Sequence, residues 1–288
     1  MKQLILNADD FGLTRGVNEG IIRAHHEGVL TSTTLMACGP AFEDAVERAK
    51  ANPELGVGCH LMLVGGCATA PRGEISSLAD ESGWLPKTLP GLIARLSMGR
   101  VPVEEIEREM RAQIKKIREA GIEPTHLDTH KHTHAHPIVM EALGRAAQET
   151  GITRVRKPFE SMKDSWQTSR TDGAGTSKQM LAAAIVTAMA PRFAAISKTY
   201  GLHSPDHFLG LASTGQLGSA MLRRMIESLV EGQTEIMVHP GISDADLRRS
   251  GTRLLRHRET ELEGLLDKGV KGVIKERGIR LISYREVN

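Results

Sequence analysis

The stretch of the chain richest in chemistry-bearing groups is a histidine run that ends at Pro137. Its ionisable members, apart from one lysine, all occupy even positions: His126, Asp128, His130, His132, His134 and His136. In an extended backbone, side chains two residues apart point to the same side, so these groups would share one face. Because burying such groups without partners is costly, that face must border water, a metal ion or a polar cleft.

Not every group in this run could be a metal ligand. A catalytic metal usually takes about three protein ligands and keeps one position open for water. The remaining histidines would then support the ligands, contact substrate or do neither. The alternative interpretation is an adventitious metal-binding tract, which composition alone would produce.

Two adjacent carboxylates, Asp9 and Asp10, follow the apolar run at the start of the chain, and Gly12 comes shortly after them. In a regular strand, neighbouring side chains point to opposite faces. A turn at Gly12 would let both carboxylates face one cleft, one as a metal ligand and the other as a general base. The alternative is that they only cap the helix that follows.

Two further histidines, His60 and His239, each end a short apolar run. Strand alternation places Cys59 on the opposite side from His60, so we do not expect a shared ligand sphere. A protonated His239 across a cleft would be a suitable acid for a departing amine. Either histidine alone could equally be structural.

Short apolar runs alternate with amphipathic stretches, the pattern of a parallel α/β sheet or barrel. Strands are predicted at residues 4–8, 32–37, 55–61, 124–132, 153–156, 235–239 and 280–283. Helices are predicted at residues 17–27, 42–51, 103–121, 137–150, 178–198 (broken at Pro191) and 252–266. Because the carboxyl ends of parallel strands meet on one face, an aspartate and two histidines at three strand ends predict a single site.

Residues 64–88 interrupt this rhythm with several glycines and prolines and predict a long loop. Long loops in compact domains are often lids or binding loops, and a flexible surface insertion is the alternative. Trp84, a large aromatic residue near the end of the loop, favours a lid.

Composition sets the broad class of the protein. With 288 residues and 40% hydrophobic content the chain can bury a large core, and without a linker or repeat we expect one domain spanning residues 1–288. The 37 basic and 35 acidic residues form no basic block, so a small-molecule partner fits better than nucleic acid. Three cysteines without a CxxC pair, a short apolar start and no bilayer-length apolar run favour a cytoplasmic protein without a membrane segment.

In their order and spacing these motifs resemble the YdjC-like carbohydrate deacetylases, a family that includes chitooligosaccharide deacetylases and hopanoid-associated proteins. The resemblance covers nearly the whole chain and rests on residues 7–12, 31–34, 58–60, 124–130 and 238–240. It implies an α/β fold, an irregular TIM-like (β/α) barrel related to the polysaccharide deacetylases. It also implies an enzyme that hydrolyses the N-acetyl group of an acetylated amino sugar, on an oligosaccharide or a glycolipid, and releases acetate.

The resemblance further implies one divalent metal ion, Mg²⁺ or Zn²⁺, held by an aspartate and two histidines. On this sequence the matching ligands are Asp10, His60 and His130. Asp9 matches the catalytic base, and His239 matches a histidine in the general-acid region. The family also suggests a homodimer.

Substrate contacts are less well marked. Aromatic residues are only 3% of the chain, which argues against a deep stack of rings on a long oligosaccharide. Trp84 is one candidate contact, and His126 is a second candidate and also the rival metal ligand. Arg154 and Arg156 could bind sugar hydroxyls or a phosphate, or be solvated strand-end charges.

Two other functions fit the same residues. The first is a metal-dependent hydrolase of another amide or of an ester. The second is a non-catalytic protein that binds metal or sugar.

Overall fold

The computed structural model describes residues 1–160 and 187–288, in which strands and helices alternate as predicted. The strands are β1 (Lys2–Phe11), β2 (Ser32–Leu35), β3 (Gly56–Leu61), β4 (Leu127–Thr129), β5 (His207–Leu209), β6 (Gly232–Val238) and β7 (Arg280–Leu281). The helices are α1 (Arg15–His26), α2 (Phe42–Ala51), α3 (Leu89–Ser97), α4 (Val103–Glu119), α5 (Pro137–Thr150), α6 (Ala190–Thr199), α7 (Ser219–Glu227), α8 (Ala245–Arg249), α9 (Arg256–Leu266) and α10 (Lys268–Glu276). Within these residues no helix is both long enough and apolar enough to cross a bilayer.

All strand pairs of the sheet are parallel, in the order β4-β3-β2-β1-β6-β5. Strand β6 pairs along β1 from residue 2 to residue 8 and so occupies one edge of it. The other edge is shared, because β7 pairs with Gln3 and Leu4 whereas β2 begins to pair at Asn7. Isolated bridges from Leu127 to Val155 and from residue 154 to residue 203 continue the sheet beyond β4.

The sheet curls strongly, as the contacts of one side chain show. Strands β4 and β6 are four places apart, which in a flat sheet is about 19 Å. The guanidinium of Arg156 nevertheless lies 2.7 Å from Asp128 on β4 and 2.8 Å from Glu235 on β6. The fold is therefore an α/β structure whose parallel sheet forms a curled half-barrel, which confirms part of the predicted architecture.

The two faces of β1 have different surroundings. Leu4, Leu6 and Ala8 pack into the main apolar core between sheet and helices, whereas Ile5 packs with residues of the C-terminal segment. The residues of β1 from Leu4 onward are buried, as expected for a parallel strand covered on both faces. Asn7 and Asp9 share the face of Ile5, so the concave side becomes polar towards the carboxyl end of the strand.

Several predicted bounds need correction. The strand predicted at residues 124–132 is only Leu127–Thr129, and residues 153–156 form bridges rather than a strand. The helix predicted at residues 178–198 is interrupted at residues 188–189, and α6 begins at Ala190 with Pro191 in its first turn, so the break lies next to the proline as predicted. Residues 178–186 lie outside the described residues. Strand β5 and four helices were not predicted: α3, α7, α8 and α10.

The long loop after β3 is held against α4 rather than loosely attached. Buried Glu109 accepts hydrogen bonds from the backbone N–H groups of Thr69 and Ala70 at 2.9 Å each. Glu105 likewise accepts from Ser77 and Leu78. The loop also contains an isolated antiparallel bridge between Cys67 and Trp84. These bonds contradict the flexible-insertion alternative.

The concave side is filled below the site by the C-terminal segment. The rings of His126 and Tyr284 stack with centroids 3.5 Å apart and planes at 4°. Gly58 faces this stack, and a Cβ atom there would lie 2.4–2.8 Å from the His126 ring. Glycine at position 58 is therefore required by the close approach of the ring.

We expect Gly58→Ala to lower the free energy of unfolding by about 1–3 kcal/mol, because the added methyl overpacks a stack that has no room to shift. Urea denaturation of the two proteins measures this difference. The matched control is Gly272→Ala in α10, where the new Cβ meets nothing within 4 Å and should stabilise the helix by about 0.5–1 kcal/mol. Equal stability of Gly58→Ala and the parent protein would contradict the tight packing.

Candidate metal centre

The carboxyl end of β1 carries an irregularity that aims two adjacent carboxylates into one site. The pairing of β1 with β2 shifts register between Ala8 and Phe11, and Asp10 adopts a left-handed backbone with φ of 67°. Gly12, at φ of 97°, completes the turn. The shift places Asp9 and Asp10 at the same cleft, as predicted. Neither caps α1, because Thr14 accepts the capping hydrogen bond.

Asp10, His60 and His130 converge at the ends of β1, β3 and β4. Asp10 Oδ1 lies 3.6 Å from His60 Nε2 and 3.3 Å from His130 Nδ1, and the two ring nitrogens are 3.3 Å apart. Two ligands about 2.1 Å from one ion at a tetrahedral angle are about 3.4 Å apart. Buried Asp10 Oδ1 has no hydrogen-bond partner among the described residues. The three side chains could therefore hold a metal ion.

His60 is oriented by a second carboxylate. Asp128 Oδ1 lies 2.7 Å from His60 Nδ1, so the opposite nitrogen faces Asp10 and His130. A carboxylate on the far nitrogen is the usual support of a metal-bound histidine. Burial alone would lower the pKa of His60, but the carboxylates of Asp128 and Asp9 outweigh it and raise that pKa to about 9.

A second group, Asp9, His60 and Asp128, also has ligand atoms close together. Both of its carboxylates are occupied, because the buried guanidinium of Arg156 contacts Asp9 at 2.6 Å and Asp128 at 2.7 Å. The group around Asp10 is therefore the better candidate for an ion.

The charges around the cleft also fit a divalent cation. Four carboxylates gather there: Asp9, Asp10, Asp128 and Glu235. The positive charges beside them are the buried guanidinium groups of Arg156 and Arg258 and, at pH 7, the protonated ring of His60. One negative charge is then uncompensated, and a second becomes so when the ring of His60 loses its proton to bind an ion. Buried charges need compensation, and a divalent ion would supply it.

The prediction that Arg156 contacts sugar is wrong in this structure, because its side chain is completely buried. It donates to both oxygens of Asp9, at 2.8 and 2.6 Å, and through Nε to Glu235. Burial would raise the pKa of Asp9, but Arg156 outweighs it and lowers that pKa, so Asp9 stays ionised. Arg156 thus fixes the orientation of Asp9 in the cleft.

His239 lies on the other side of Asp9, with Nε2 3.9 Å from Asp9 Oδ2. Its backbone N–H donates to Glu261 Oε2 at 2.5 Å, and its Nδ1 lies 4.0 Å from the same oxygen. Burial lowers the pKa of His239 to about 4 despite the nearby Asp9. The ring is therefore neutral at pH 7, whereas the sequence predicted a protonated ring that acts directly as the acid.

The histidine run does not form one face, so that prediction is wrong. Strand β4 ends at Thr129, and Lys131 and His132 adopt left-handed φ values of 57° and 53°. The ring of His134 forms hydrogen bonds with Thr129 Oγ1 at 2.6 Å and with the carbonyl of Arg156 at 3.0 Å. His136 caps α5, and His132 packs edge-on against Phe208. These separate surroundings argue against an adventitious metal-binding tract.

The other candidate substrate contacts, His126, Arg154 and Trp84, lie in three different parts of the structure. His126 is completely buried against Tyr284, where substrate does not reach it, and it belongs to neither group of adjacent ligand atoms in the described residues. Arg154 donates to the carbonyl of Val287 and lines a cavity of about 630 Å³ at the amino ends of β3 and β4, away from the metal centre. Trp84 is half exposed on the long loop and remains a candidate.

Sequence reasoning gave no role to Asp128 and missed Arg258, Glu235 and Glu261. A signal for two of them was present on α9. Arg258, Glu261, Leu262 and Leu265 recur at the spacing of a buried helical face, and all are buried. Charged residues at such positions must have buried partners.

We expect Asp128→Asn to weaken binding of the ion by about 10–100-fold, because the ring of His60 loses the carboxylate that sets its tautomer and orientation. Competition with a chromogenic chelator measures the dissociation constant. Thr34→Val is a control, because Thr34 also contacts His60 Nδ1, at 3.2 Å, but carries no charge. An unchanged constant in Asp128→Asn would contradict the supporting role of the carboxylate.

Comparison with known proteins shows which proteins the whole chain is similar to. The family model described as YdjC-like protein matches residues 3–276. A carbohydrate deacetylase of Brevibacillus brevis is 36% identical over 286 residues, covering 99% of each chain. A chitooligosaccharide deacetylase of Klebsiella pneumoniae is 32% identical, covering 99% of this chain and 98% of its own. A crystal structure from Enterococcus faecalis V583, named for cellobiose-phosphate cleavage, has a TM-score of 0.77 at 28% identity, covering 98% of this chain and 97% of its own.

Proposed function

Because this chain belongs to the YdjC-like family, we propose that it is a metal-dependent carbohydrate deacetylase that hydrolyses the N-acetyl group of an amino sugar and releases acetate. The observation that carries the proposal is the arrangement of Asp10, His60 and His130 beside Asp9 and His239. Relatives with similar length carry the names carbohydrate deacetylase and chitooligosaccharide deacetylase. The finer architecture we propose is one domain with an irregular, TIM-like β/α barrel.

The proposed cofactor is one divalent ion, Mg²⁺ or Zn²⁺, held by Asp10, His60 and His130. Such an ion polarises a carbonyl and lowers the pKa of a water molecule. The protein supplies two nitrogens and one oxygen to it, and Asp128 keeps His60 in the orientation that binding requires.

We propose Asp9 as the general base. Arg156 holds both of its oxygens and keeps it ionised, so Asp9 can accept a proton from the attacking water. The departing amine nitrogen needs one proton in return. Neutral His239, 3.9 Å from Asp9, is placed to take that proton and deliver it to the nitrogen.

The experiment that tests the function is acetate release from a panel of N-acetylated sugars, from monosaccharides to chitooligosaccharides. We expect release from at least one sugar, together with a new primary amine in equal amount. O-acetylated sugars and simple phosphoesters test a hydrolase of another bond. Absence of release from every N-acetylated sugar would overturn the deacetylase assignment.

A further inference from the structure

Arg258 reaches the metal centre from α9 although it is far from Asp10 along the chain. Its side chain is completely buried, and Nη2 donates to Asp10 Oδ2 at 2.5 Å. Its Nε donates to the carbonyl of Leu254 at 3.2 Å, which holds the guanidinium in place. The backbone carbonyl of Arg258 accepts from Gly241, two residues after His239.

The two oxygens of Asp10 therefore have different environments. Oδ2 is taken by Arg258, whereas Oδ1 is buried, has no hydrogen-bond partner among the described residues and faces His60 and His130. A carboxylate with one oxygen bound to a fixed cation offers only the other oxygen to an ion. If Arg258 were absent, both oxygens could turn towards the ion.

We propose that Arg258 is a positioning residue that limits Asp10 to one metal-binding oxygen, so that the protein offers the ion two nitrogens and one oxygen. This inference rests on the metal centre of the proposed function. Three such ligands at tetrahedral spacing suit Zn²⁺, whereas Mg²⁺ and Mn²⁺ favour more oxygen ligands and higher coordination numbers. Arg258 thereby sets which metal the site prefers.

Overall affinity is a poor readout of this role. Removing Arg258 also removes a positive charge next to the ion, which by itself strengthens binding of any divalent cation. The coordination geometry and the ratio of affinities for two metals separate the effect of geometry from that of charge.

The test uses Co²⁺ as a spectroscopic probe in the full-length protein, with dissociation constants for Zn²⁺ and Mn²⁺. We expect the parent protein to show the intense visible absorption of four-coordinate Co²⁺. Arg258→Met should show the weaker absorption of higher-coordinate Co²⁺ and a preference for Zn²⁺ over Mn²⁺ that is reduced by about tenfold or more. Arg258→Lys retains one charged donor for Oδ2 and should restore most of the parent spectrum.

Arg249→Met on α8 is the matched control, because Arg249 is exposed and pairs with Asp246 at the surface. Its spectrum and metal preference should equal those of the parent protein. Circular dichroism checks the fold of each variant, and Arg258→Gln replaces Arg258→Met if the latter does not fold.

The outcomes separate this inference from the proposed function. A parent-like Co²⁺ spectrum and an unchanged metal preference in the folded Arg258 variant would overturn the role of Arg258 alone. Loss of all Co²⁺ binding in that variant would also overturn it, because the proposal keeps Asp10 as a ligand. Failure of the parent protein to bind one Co²⁺ per chain would instead refute the metal centre and the function built on it.

Discussion

Replacing His60 or His130 by alanine is expected to remove the bound ion and the acetate-releasing activity together. Each change removes one of three ligand atoms that lie 3.3–3.6 Å apart, and two ligands hold an ion far more weakly than three. The loss of affinity should exceed the roughly 10–100-fold that a supporting residue such as Asp128 contributes. Metal content after dialysis and the rate of acetate release measure the two effects on the same samples.

The control for this experiment is His26→Ala, an exposed histidine on α1 whose loss should change neither metal content nor turnover. Excess metal offers a second check, because high concentrations should restore part of the activity of a variant that retains two ligands. A variant that keeps one tightly bound ion per chain without His60 or His130 contradicts our ligand assignment.

Asp9→Asn is expected to lower kcat by about 10²–10⁴-fold while one ion per chain remains bound. The amide has the shape of the carboxylate, so the fold should be kept, but it cannot accept a proton from water. Arg156 retains Asp128 and Glu235 as partners. Steady-state kinetics and metal analysis of the same preparation distinguish this variant from the ligand variants.

Asp246→Asn is the matched control, since Asp246 lies on α8 with an exposed carboxylate. It should retain full turnover. Near-normal kcat in Asp9→Asn would refute the assignment of the base, and loss of the ion would move Asp9 into the ligand set.

The convergence of Asp10, His60 and His130 could be predicted from sequence because it depends on where strands end. Asp10 and His60 are each the last residue but one of their strands, β1 and β3, and His130 directly follows β4. Parallel pairing then brings those ends together without further information.

The roles of the other histidines could not be predicted, because they depend on where β4 stops. The even-position rule holds only in extended backbone, and the chain turns after Thr129 through two residues with left-handed φ. Such φ values are uncommon in residues other than glycine and leave no clear signal in the sequence. His126, which precedes β4, lies on the concave side below the cleft, where its ring stacks on Tyr284 from the other end of the chain.

The burial of Arg156 and Arg258 and their carboxylate partners could not be predicted from the sequence, for a similar reason. A charge at the end of a predicted strand is more often solvated than buried, and Arg156 was interpreted that way or as a sugar contact. Its partner Asp9 is 147 residues away, and Arg258 is 248 residues from Asp10. Only the tertiary structure brings these opposite charges together.

The most direct test of the account is acetate release from N-acetylated sugars by the intact protein before metal removal, after treatment with a chelator and after addition of one equivalent of Zn²⁺ or Mg²⁺. The account predicts that release stops on chelation and returns with about one ion bound per chain. Release that continues in protein shown to be free of metal would contradict a hydrolytic site built on Asp10, His60 and His130.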